Sequence, residues 1–279
     1  TLFPYTTLFR STPTATYTRS PTLTPIGGGS GQIVFQSDRD GDEEIYLLDI
    51  LTGTIRQITY NEFSDEQPNW SPDGRMICFL STRGGSDDGH ALYVMDASGA
   101  NQRQVTPSSL LSVGDPNWSP DGERIIFTAA EGSNGLRSIY VINVDGTALR
   151  RLTDDINYYW PTWSPDGGRI VAQAQIGDSM SIITMFASGL GNSQVVELSG
   201  IDVAHVNQAH PSWSPDGRNL LFISNQTGVY EVYVRNELTG QITTVTSDGS
   251  EHRRPQWAPD GSSVMFLSNR SGVYSLYEM

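Results

Sequence analysis

A five-residue motif recurs five times along this chain and constrains its fold more than any other feature. The motif reads Trp-Ser-Pro-Asp-Gly four times and Trp-Ala-Pro-Asp-Gly once, and successive tryptophans lie 48, 45, 50 and 44 residues apart. Each copy is followed by short apolar runs separated by Gly, Asp or Asn, and no run is long enough for a helix. Four short strands in a period of roughly 40–50 residues are typical of a β-propeller blade. We therefore predict an all-β propeller.

The motif itself has a local structural explanation. Ser, Pro and Gly at positions i, i+1 and i+3 suit a type I turn, because Pro presets φ and Gly accepts a positive φ. We expect this turn to join the innermost strand of each blade to the second strand. The tryptophan before it would wedge between neighbouring blades, where a large ring covers much apolar surface. The residues predicted to have this structural role are Trp70, Trp118, Trp163, Trp213, Trp257, Gly74, Gly122, Gly167, Gly217 and Gly261.

The repeats predict six blades. Residues 31–59 contain the apolar runs without the tryptophan motif, so that the blades span approximately 31–59, 67–106, 115–153, 160–198, 210–246 and 254–279. The first blade lacks an innermost strand, and the last stops at Met279 within or just after its third strand. With one strand missing from the first blade and one from the last, the predicted strands are two fewer than six four-stranded blades require. Because an unpaired blade edge favours aggregation, we expect a propeller that is incomplete at one or both ends, unless the preceding segment supplies a strand.

The first thirty residues are not expected to belong to the fold. Residues 1–11, TLFPYTTLFRS, match in register the translation of a common short-read sequencing adapter, and we interpret them as an artefact. Residues 12–30 alternate Thr with Pro and end in a Gly-rich joint, which predicts a disordered linker. A linker of this kind is typical of a tether that holds a domain away from a membrane or wall. A disordered tail without that role is the alternative.

In addition to the spacing of the repeats, several short sequence segments resemble those of a known family. The segment Gln36-Ser37-Asp38-Arg39-Asp40-Gly41, the segment Glu44-Ile45-Tyr46 and the repeated Trp-Ser-Pro-Asp-Gly motif resemble the WD40-like repeats of the TolB family from residue 31 to the C-terminus. This resemblance implies six blades around a central channel and a domain that binds other proteins rather than catalysing a reaction. Related blades also cap serine peptidases, so the resemblance indicates the fold more strongly than the function.

Composition excludes several classes of function. The chain has 31 acidic and 17 basic residues, a formal charge of −14, which disfavours binding to nucleic acid or to an anionic membrane surface. No apolar stretch has the length of a membrane span. Every basic residue is arginine, so a phosphate-binding P-loop, a kinase-type lysine and a pyridoxal Schiff base are excluded. Cys78 is the single cysteine and lies in an apolar run, so we interpret it as a core residue.

Known catalytic and metal-binding motifs do not occur in the sequence. His90, His205, His210 and His252 form neither a His-x-x-x-His nor a His-Glu-x-x-His pair, and Gly-x-Ser-x-Gly is missing. We therefore predict no catalytic residue, no cofactor and no metal. The acidic segment 38–44 places its glycine one residue after the second Asp, unlike an EF-hand loop, so that a hairpin turn is favoured over a calcium site.

The candidate binding residues lie where each outer strand returns to the next innermost strand. The residue just before each Pro-x-Trp differs from blade to blade, whereas the scaffold motif repeats, and strand alternation would turn that residue toward the channel mouth. Tyr158, Tyr159 and Trp160 form an aromatic cluster of the kind that anchors interfaces. The candidate residues at the mouth are Gln67, Asp115, Tyr158, Tyr159, Trp160, His210 and Arg254. The alternative is a set of solvated loops with aromatic side chains packed on the blade edges.

These observations favour a non-enzymatic module that binds a protein or peptide outside the cytoplasm, in the periplasm, at the cell surface or after secretion. The Thr/Pro linker would tether it, for example to a membrane through a segment upstream. The acidic charge favours a basic or polar partner. The alternative is the propeller gate of a serine peptidase resembling prolyl oligopeptidase, whose catalytic domain would lie outside this sequence. A receptor sensor domain would use the same binding chemistry as the first hypothesis.

Overall fold

The computed structural model describes residues 31–84, 89–131, 135–153, 156–188, 194–195 and 206–279. These ranges consist of antiparallel strands, turns and one short 3₁₀ helix at Thr82–Gly84. The prediction of an all-β propeller is confirmed. The adapter and linker interpretations, which concern residues 1–30, fall outside the described residues, as does His205. The described ranges contain no helix whose length and hydropathy would suit a membrane span.

Within the described residues, six sheets follow one another along the chain, and the strands of each pair antiparallel in sequence order. The first sheet holds β1 (Gln32–Ser37), β2 (Glu44–Asp49) and β3 (Ile55–Gln57). The second holds β4 (Asp65–Trp70), β5 (Met76–Ser81), β6 (Ala91–Asp96) and β7 (Arg103–Gln104). The third holds β8 (Leu110–Trp118), β9 (Arg124–Glu131), β10 (Ser138–Asn143) and β11 (Arg150–Arg151).

The remaining three sheets continue the same order. The fourth holds β12 (Tyr158–Trp163), β13 (Arg169–Ile176), β14 (Ser179–Phe186) and β15 (Gln194–Val195). The fifth holds β16 (Gln208–Trp213), β17 (Asn219–Ser224), β18 (Glu231–Asn236) and β19 (Ile242–Thr244). The sixth holds β20 (His252–Trp257), β21 (Val264–Ser268) and β22 (Ser275–Glu278).

The tryptophan-bearing strands β4, β8, β12, β16 and β20 form the inner edges of their sheets. Each is the first strand of its sheet, and from β4 to β20 each contacts the corresponding strand of the neighbouring sheet along the chain. Sheets that converge at one edge in this way surround a common axis, as propeller blades do. In the first sheet, β1 packs directly against β4.

The motif turns are closed by a repeated set of hydrogen bonds. In the first copy, the Gly74 N–H donates to the Ser71 carbonyl at 2.9 Å, and Gly74 has a φ of 69°. The Ser71 hydroxyl donates to Asp73 at 2.7 Å and accepts the Met76 N–H at 2.9 Å. The hydroxyl of Ser71 lowers the pKa of the Asp73 carboxyl. The Ser and Asp side chains therefore stabilise by hydrogen bonds a turn whose backbone conformation Pro and Gly allow.

The hydrophobic core lies between the sheets rather than within one layer. Trp70 packs with Ile45 and Leu47 of the first sheet and with Phe79 of its own sheet. The same arrangement recurs at the next boundaries, where Trp118, Trp163 and Trp213 each join the apolar residues of two neighbouring sheets. These four tryptophans are 5–7% exposed. Each ring therefore covers apolar surface on two sheets at once.

Buried threonines just after the outer strands extend the hydrogen bonding within their own sheets. In each of four sheets, such a threonine hydroxyl accepts a backbone N–H from the adjacent strand at 2.8–3.0 Å. The threonines are Thr59, Thr106, Thr153 and Thr246, and the N–H donors are Ile45, Leu92, Ile139 and Val232. A hydroxyl can accept this bond where the outer strand has ended, so that the buried N–H keeps a partner.

Candidate functional site

The residue before each Pro-x-Trp lies at a β-bulge in its inner strand. The register of β4, for example, shifts between Glu66 and Asn69, so that the strict alternation assumed from the sequence is interrupted there. All five residues at these positions are non-glycine residues with a positive φ between 47° and 55°. We call these five residues the inner ring: Gln67, Asp115, Trp160, His210 and Arg254.

Backbone strain at the inner ring favours a use for its side chains. A non-glycine residue in the left-handed region costs roughly 1–2 kcal/mol, whereas glycine adopts that region without this cost. Every inner-ring position nevertheless carries a large side chain. The bulge alone therefore explains the backbone but not the side chains, and strained positions of this kind cluster where side chains bind or hold others.

Part of the inner ring is joined by hydrogen bonds from one sheet to the next. The Gln36 side chain of β1 accepts the Gln67 N–H at 2.8 Å, and the Gln67 side chain accepts the Asp115 N–H at 3.0 Å. The Asp115 carboxylate then accepts the Trp160 N–H at 3.3 Å. Each side chain thus satisfies the strained backbone of the following sheet. This half of the inner ring has a structural role in addition to any binding role.

The other half of the inner ring presents aromatic and cationic groups. The Trp160 and His210 rings lie 4.2 Å apart between centroids, and Tyr159 lies 6.1 Å from Trp160. The Arg137 guanidinium lies over the Tyr159 ring at 5.5 Å. Trp160 and His210 are partly buried, while Arg253 and Arg254 are exposed. Large flat side chains beside an arginine are the residue types that most often anchor interfaces.

The charges of the inner ring act on one another. Burial raises the pKa of the Asp115 carboxyl, and the Arg137 guanidinium, the Trp160 N–H, the Thr128 hydroxyl and Arg254 oppose that rise. Burial lowers the pKa of His210 to about 4, and the positive charges of Arg254 and Arg253 lower it further. His210 is therefore neutral at pH 7, and its ring is available for stacking rather than for ion pairing.

The structure separates one predicted site residue from the others. Gln67, Asp115, Trp160, His210 and Arg254 occupy equivalent positions, and Tyr159 lies beside Trp160. Tyr158 instead is 7% exposed and packs in the apolar cluster between the third and fourth sheets. Successive side chains of a strand point to opposite faces, so Tyr158 and Tyr159 cannot share one surface. Including Tyr158 at the mouth was therefore wrong.

Sequence reasoning missed two residues that support the site. Gln36 supplies the first acceptor of the hydrogen-bond series, and Arg137 reaches Tyr159, the Ser112 carbonyl and the Thr128 hydroxyl. The sequence did offer a signal for Gln36, because it is the polar residue that directly follows the apolar run Ile33-Val34-Phe35. Arg137 lies in a connection with no repeated pattern, and the sequence offered no comparable signal for it.

The acidic segment 38–44 forms a hairpin turn in which both oxygens of the Asp40 carboxylate have protein partners. The Gly41 N–H donates to the Asp38 carbonyl at 3.1 Å. Asp40 accepts the Tyr46 hydroxyl at 2.7 Å and the Gln57 amide at 2.7 Å, using one oxygen for each. These contacts favour the hairpin interpretation of this segment.

Comparison with protein-family models gives one match that extends over most of the chain. A model described as the TolB beta propeller domain matches residues 11–200 and 192–279. A curated relative, the Tol-Pal system protein TolB of Francisella tularensis subsp. mediasiatica, is 32% identical over 90 residues. That alignment covers 32% of this chain and 20% of the relative, so the chain matches about a fifth of the relative's length.

Solved structures show the same fold. The putative TolB from Agrobacterium tumefaciens superposes with a TM-score of 0.68 at 22% identity, covering 85% of this chain and 84% of that one. A puromycin-hydrolyzing peptidase of Mycobacterium tuberculosis gives a TM-score of 0.66 at 16% identity, covering 92% of this chain and 44% of that one. At these identities the likeness concerns the fold and not the function.

Proposed function

Since the chain belongs to the TolB β-propeller family, we propose that it is a non-enzymatic module that binds a protein or peptide outside the cytoplasm. Similarity to a Tol-Pal system protein supports a protein partner. The same similarity supports a periplasmic or cell-surface position, and the Thr/Pro linker predicted for residues 12–30 would serve as the tether.

The observation that carries this proposal is the contrast between the inner ring and the motif beside it. The Trp-Ser-Pro-Asp-Gly motif keeps the same residues in successive sheets because it builds the same turn and the same core contact each time. The inner ring, which lies just ahead of each motif, changes chemistry in every sheet and keeps side chains at strained backbone positions. Variation within a fixed frame suits recognition of a partner more than it suits folding.

Charge and aromatic content define the partner that this surface would suit. The protein carries a formal charge of −14, which favours a basic or polar partner during encounter. At the surface itself, Tyr159 and Trp160 offer flat apolar faces, and the neutral His210 ring stacks on Trp160. We therefore propose a polar segment that contributes at least one apolar or aromatic side chain to the contact with these rings.

A peptide-library selection can test the proposal before any natural partner is identified. Peptides displayed on phage are selected on the immobilised protein, and their dissociation constants are then measured for the wild type and for the Tyr159→Ala/Trp160→Ala variant. We expect the double variant to lose at least about tenfold in affinity, because removing an aromatic interface anchor typically costs about 2 kcal/mol or more. Its melting temperature and far-ultraviolet circular dichroism should remain close to those of the wild type.

A matched control uses two exposed apolar residues at the opposite ends of the strands. Phe186 is 55% exposed and pairs with Arg169 next to a motif turn, and Leu238 is 93% exposed in the β18–β19 turn. The Phe186→Ala/Leu238→Ala variant should bind the selected peptides as the wild type does. Unchanged binding by the Tyr159→Ala/Trp160→Ala variant would rule out this surface as the binding site.

The second candidate is the propeller gate of a serine peptidase. The specific observation in its favour is the superposition on a puromycin-hydrolyzing peptidase, which covers 92% of this chain and 44% of that chain. Sequencing the source locus across both ends distinguishes the two functions. An adjoining α/β domain with Gly-x-Ser-x-Gly in the same reading frame would establish the gate. A membrane anchor upstream and a stop codon soon after a final strand would support the tethered binding module.

A further inference from the structure

Three ligand-type side chains meet between the fifth and sixth sheets. His252 Nε2 lies 3.0 Å from Glu231 Oε2 and 3.1 Å from Asp248 Oδ1, and the three atoms all lie within 4.8 Å of one another. Glu231 and His252 are buried, whereas the Asp248 side chain is 37% exposed. No other group of three such side chains meets this spacing in the part of the chain that the structure describes.

The chain contains an equivalent site that shows what this position usually requires. Between the first and second sheets, the Asn61 amide nitrogen lies 3.5 Å from Glu44 Oε2 and 2.9 Å from Asp65 Oδ2. The Arg83 guanidinium bonds Asp65 at 2.8 Å. The Glu44 carboxylate also interacts with the threonine that follows the outer strand, Thr59. There, an amide N–H₂ group lies between two carboxylates and one arginine balances part of their charge.

The two sites correspond residue by residue. Glu231 begins β18 as Glu44 begins β2, and the Thr246 hydroxyl donates to Glu231 Oε2. The backbone N–H of His252 donates to a backbone carbonyl of the preceding sheet, and the backbone N–H of Asp65 does the same. The equivalent residues are Glu44 and Glu231, Thr59 and Thr246, Asn61 and Asp248, Asp65 and His252, and Arg83 and Arg270.

At the second site a single imidazole nitrogen lies between two carboxylates, whose facing oxygens also accept the Thr246 hydroxyl and, at 3.0 Å, the Ser250 N–H. The Asn61 amide has two protons for two carboxylate oxygens, whereas His252 Nε2 has one proton at most for the oxygens of Glu231 and Asp248. Nδ1 of His252 is buried and has no hydrogen-bond partner among the described residues, so Nε2 makes the polar contacts of this ring. Arg270 contacts Asp248 at 3.1 Å and balances one of the two carboxylate charges. Glu231 has no arginine partner among the described residues, so two carboxylates and one imidazole share a single guanidinium.

We propose that Glu231, Asp248 and His252 bind a divalent cation of the zinc class. Zinc is bound by histidine nitrogen and carboxylate oxygen at about 2.0–2.2 Å, which places neighbouring ligand atoms of a tetrahedral site roughly 3.3–3.6 Å apart. Nε2 lies 3.0 and 3.1 Å from the two oxygens, so small outward shifts of the two carboxylates would admit the ion. An imidazole ligand favours zinc over calcium or magnesium, which prefer oxygen. Because Asp248 is partly exposed, water can complete the coordination from the solvent side.

Neighbouring groups would orient the ligands of this cation. The Gly249 N–H donates to Glu231 Oε1 at 3.0 Å, and Oε2, which also accepts the Thr246 hydroxyl, lies toward His252. Arg270 is held in place by its stack over Tyr277, at 4.5 Å, and bonds Asp248 Oδ2 while Oδ1 faces the histidine. Such outer contacts fix ligand geometry in metal sites. The bound cation would link the fifth sheet to the sixth.

The test measures zinc binding by calorimetry on the full chain without a histidine tag, with MgCl₂ and CaCl₂ as comparison titrations. We expect one zinc ion per chain, and Co²⁺ in its place should give visible absorption bands of a site with nitrogen and oxygen ligands. The Asp248→Asn variant restores the amide found at the equivalent site. It should weaken zinc binding by more than the roughly 10–100-fold that follows loss of an outer-shell contact.

A second variant keeps the proposal falsifiable if the first folds poorly. Asp248→Asn/His252→Asp reproduces the Glu–Asn–Asp arrangement that the chain already uses between its first and second sheets. This variant should fold, bind no zinc at this site and show no rise in melting temperature when ZnCl₂ is added, whereas the wild type should show a rise. Failure of the wild type to bind zinc, or equal binding by the variants, would overturn the proposal.

Discussion

A comparison of two tryptophans tests how the inter-sheet core is stabilised. Trp118 and Trp70 are 5% and 6% exposed, and each lies between two neighbouring sheets. The Trp118 Nε1–H donates to the Asn69 carbonyl at 3.0 Å, whereas the Trp70 Nε1–H is buried and has no hydrogen-bond partner among the described residues. Replacing each with phenylalanine therefore makes a similar change in volume but the opposite change in hydrogen bonding.

The expected difference in stability between the two variants follows from these contacts. The smaller ring costs each variant roughly 1–2 kcal/mol in buried apolar surface and packing. Trp118→Phe also loses a hydrogen bond worth about 1 kcal/mol, while Trp70→Phe removes an unsatisfied buried donor, which relieves about 1–3 kcal/mol. We expect Trp118→Phe to be less stable than Trp70→Phe by roughly 2–4 kcal/mol. At roughly 2–4 °C per kcal/mol for a domain of this size, the melting temperatures should differ by about 4–16 °C.

Differential scanning calorimetry of the two variants measures this difference, and urea unfolding gives the free energies of unfolding directly. The wild type and the Leu238→Ala variant, which alters a residue 93% exposed, provide the references. Equal destabilisation of the two phenylalanine variants, or a larger effect at Trp70, would show that the hydrogen-bond difference does not determine the stability of these positions.

Two further predictions concern single side chains. His210 has a pKa of about 4 in the folded protein, against about 6.5 for an unperturbed histidine, so the unfolded state binds the proton more readily and stability should fall by about 2 kcal/mol as the pH drops from 6.5 to 4. NMR titration of His210 measures this pKa directly, and a value at or above 6.5 would contradict the argument that burial lowers it. The free energy of unfolding of a His210→Gln variant should depend less on pH over the same interval. Cys78 is fully buried and burial raises the pKa of its thiol, so it should react with Ellman's reagent only after unfolding; rapid reaction of the native protein would place the thiol at the surface instead.

The sequence was sufficient to predict the repeated parts of the fold. The Trp-Ser-Pro-Asp-Gly motif contains its own turn chemistry, because Ser71, Asp73 and Gly74 bond one another within the motif. The apolar runs after it have the length and composition of strands, and the threonines that end the third runs accept buried N–H groups. Local rules decide all of these features, so a single sequence contains the necessary information.

The candidate site was predicted by position but not by conformation. The variable residue before each Pro-x-Trp identified the inner ring. Tyr158 was grouped with Tyr159 because the two are adjacent in sequence, although strand alternation turns them to opposite faces. The bulge lies in the pairing of each inner strand with the second strand of its own sheet, and the sequence of one strand does not encode that register. Glu231 and His252 are 21 positions apart, and only comparison with Glu44 and Asp65, also 21 positions apart, could have suggested that they meet.

The left-handed backbone at the inner ring also limits which residues can occupy it. A β-branched side chain at such a φ is strongly disfavoured, and none of the five inner-ring residues is Val, Ile or Thr. The neighbouring motif maintains the core independently. An inner-ring residue can therefore change among the residue types that are not β-branched while the adjacent turn remains intact. A mutational library confined to these five codons, with β-branched residues left out, would therefore vary specificity one blade at a time on a constant scaffold. Evolution of new partners could proceed by the same modular route.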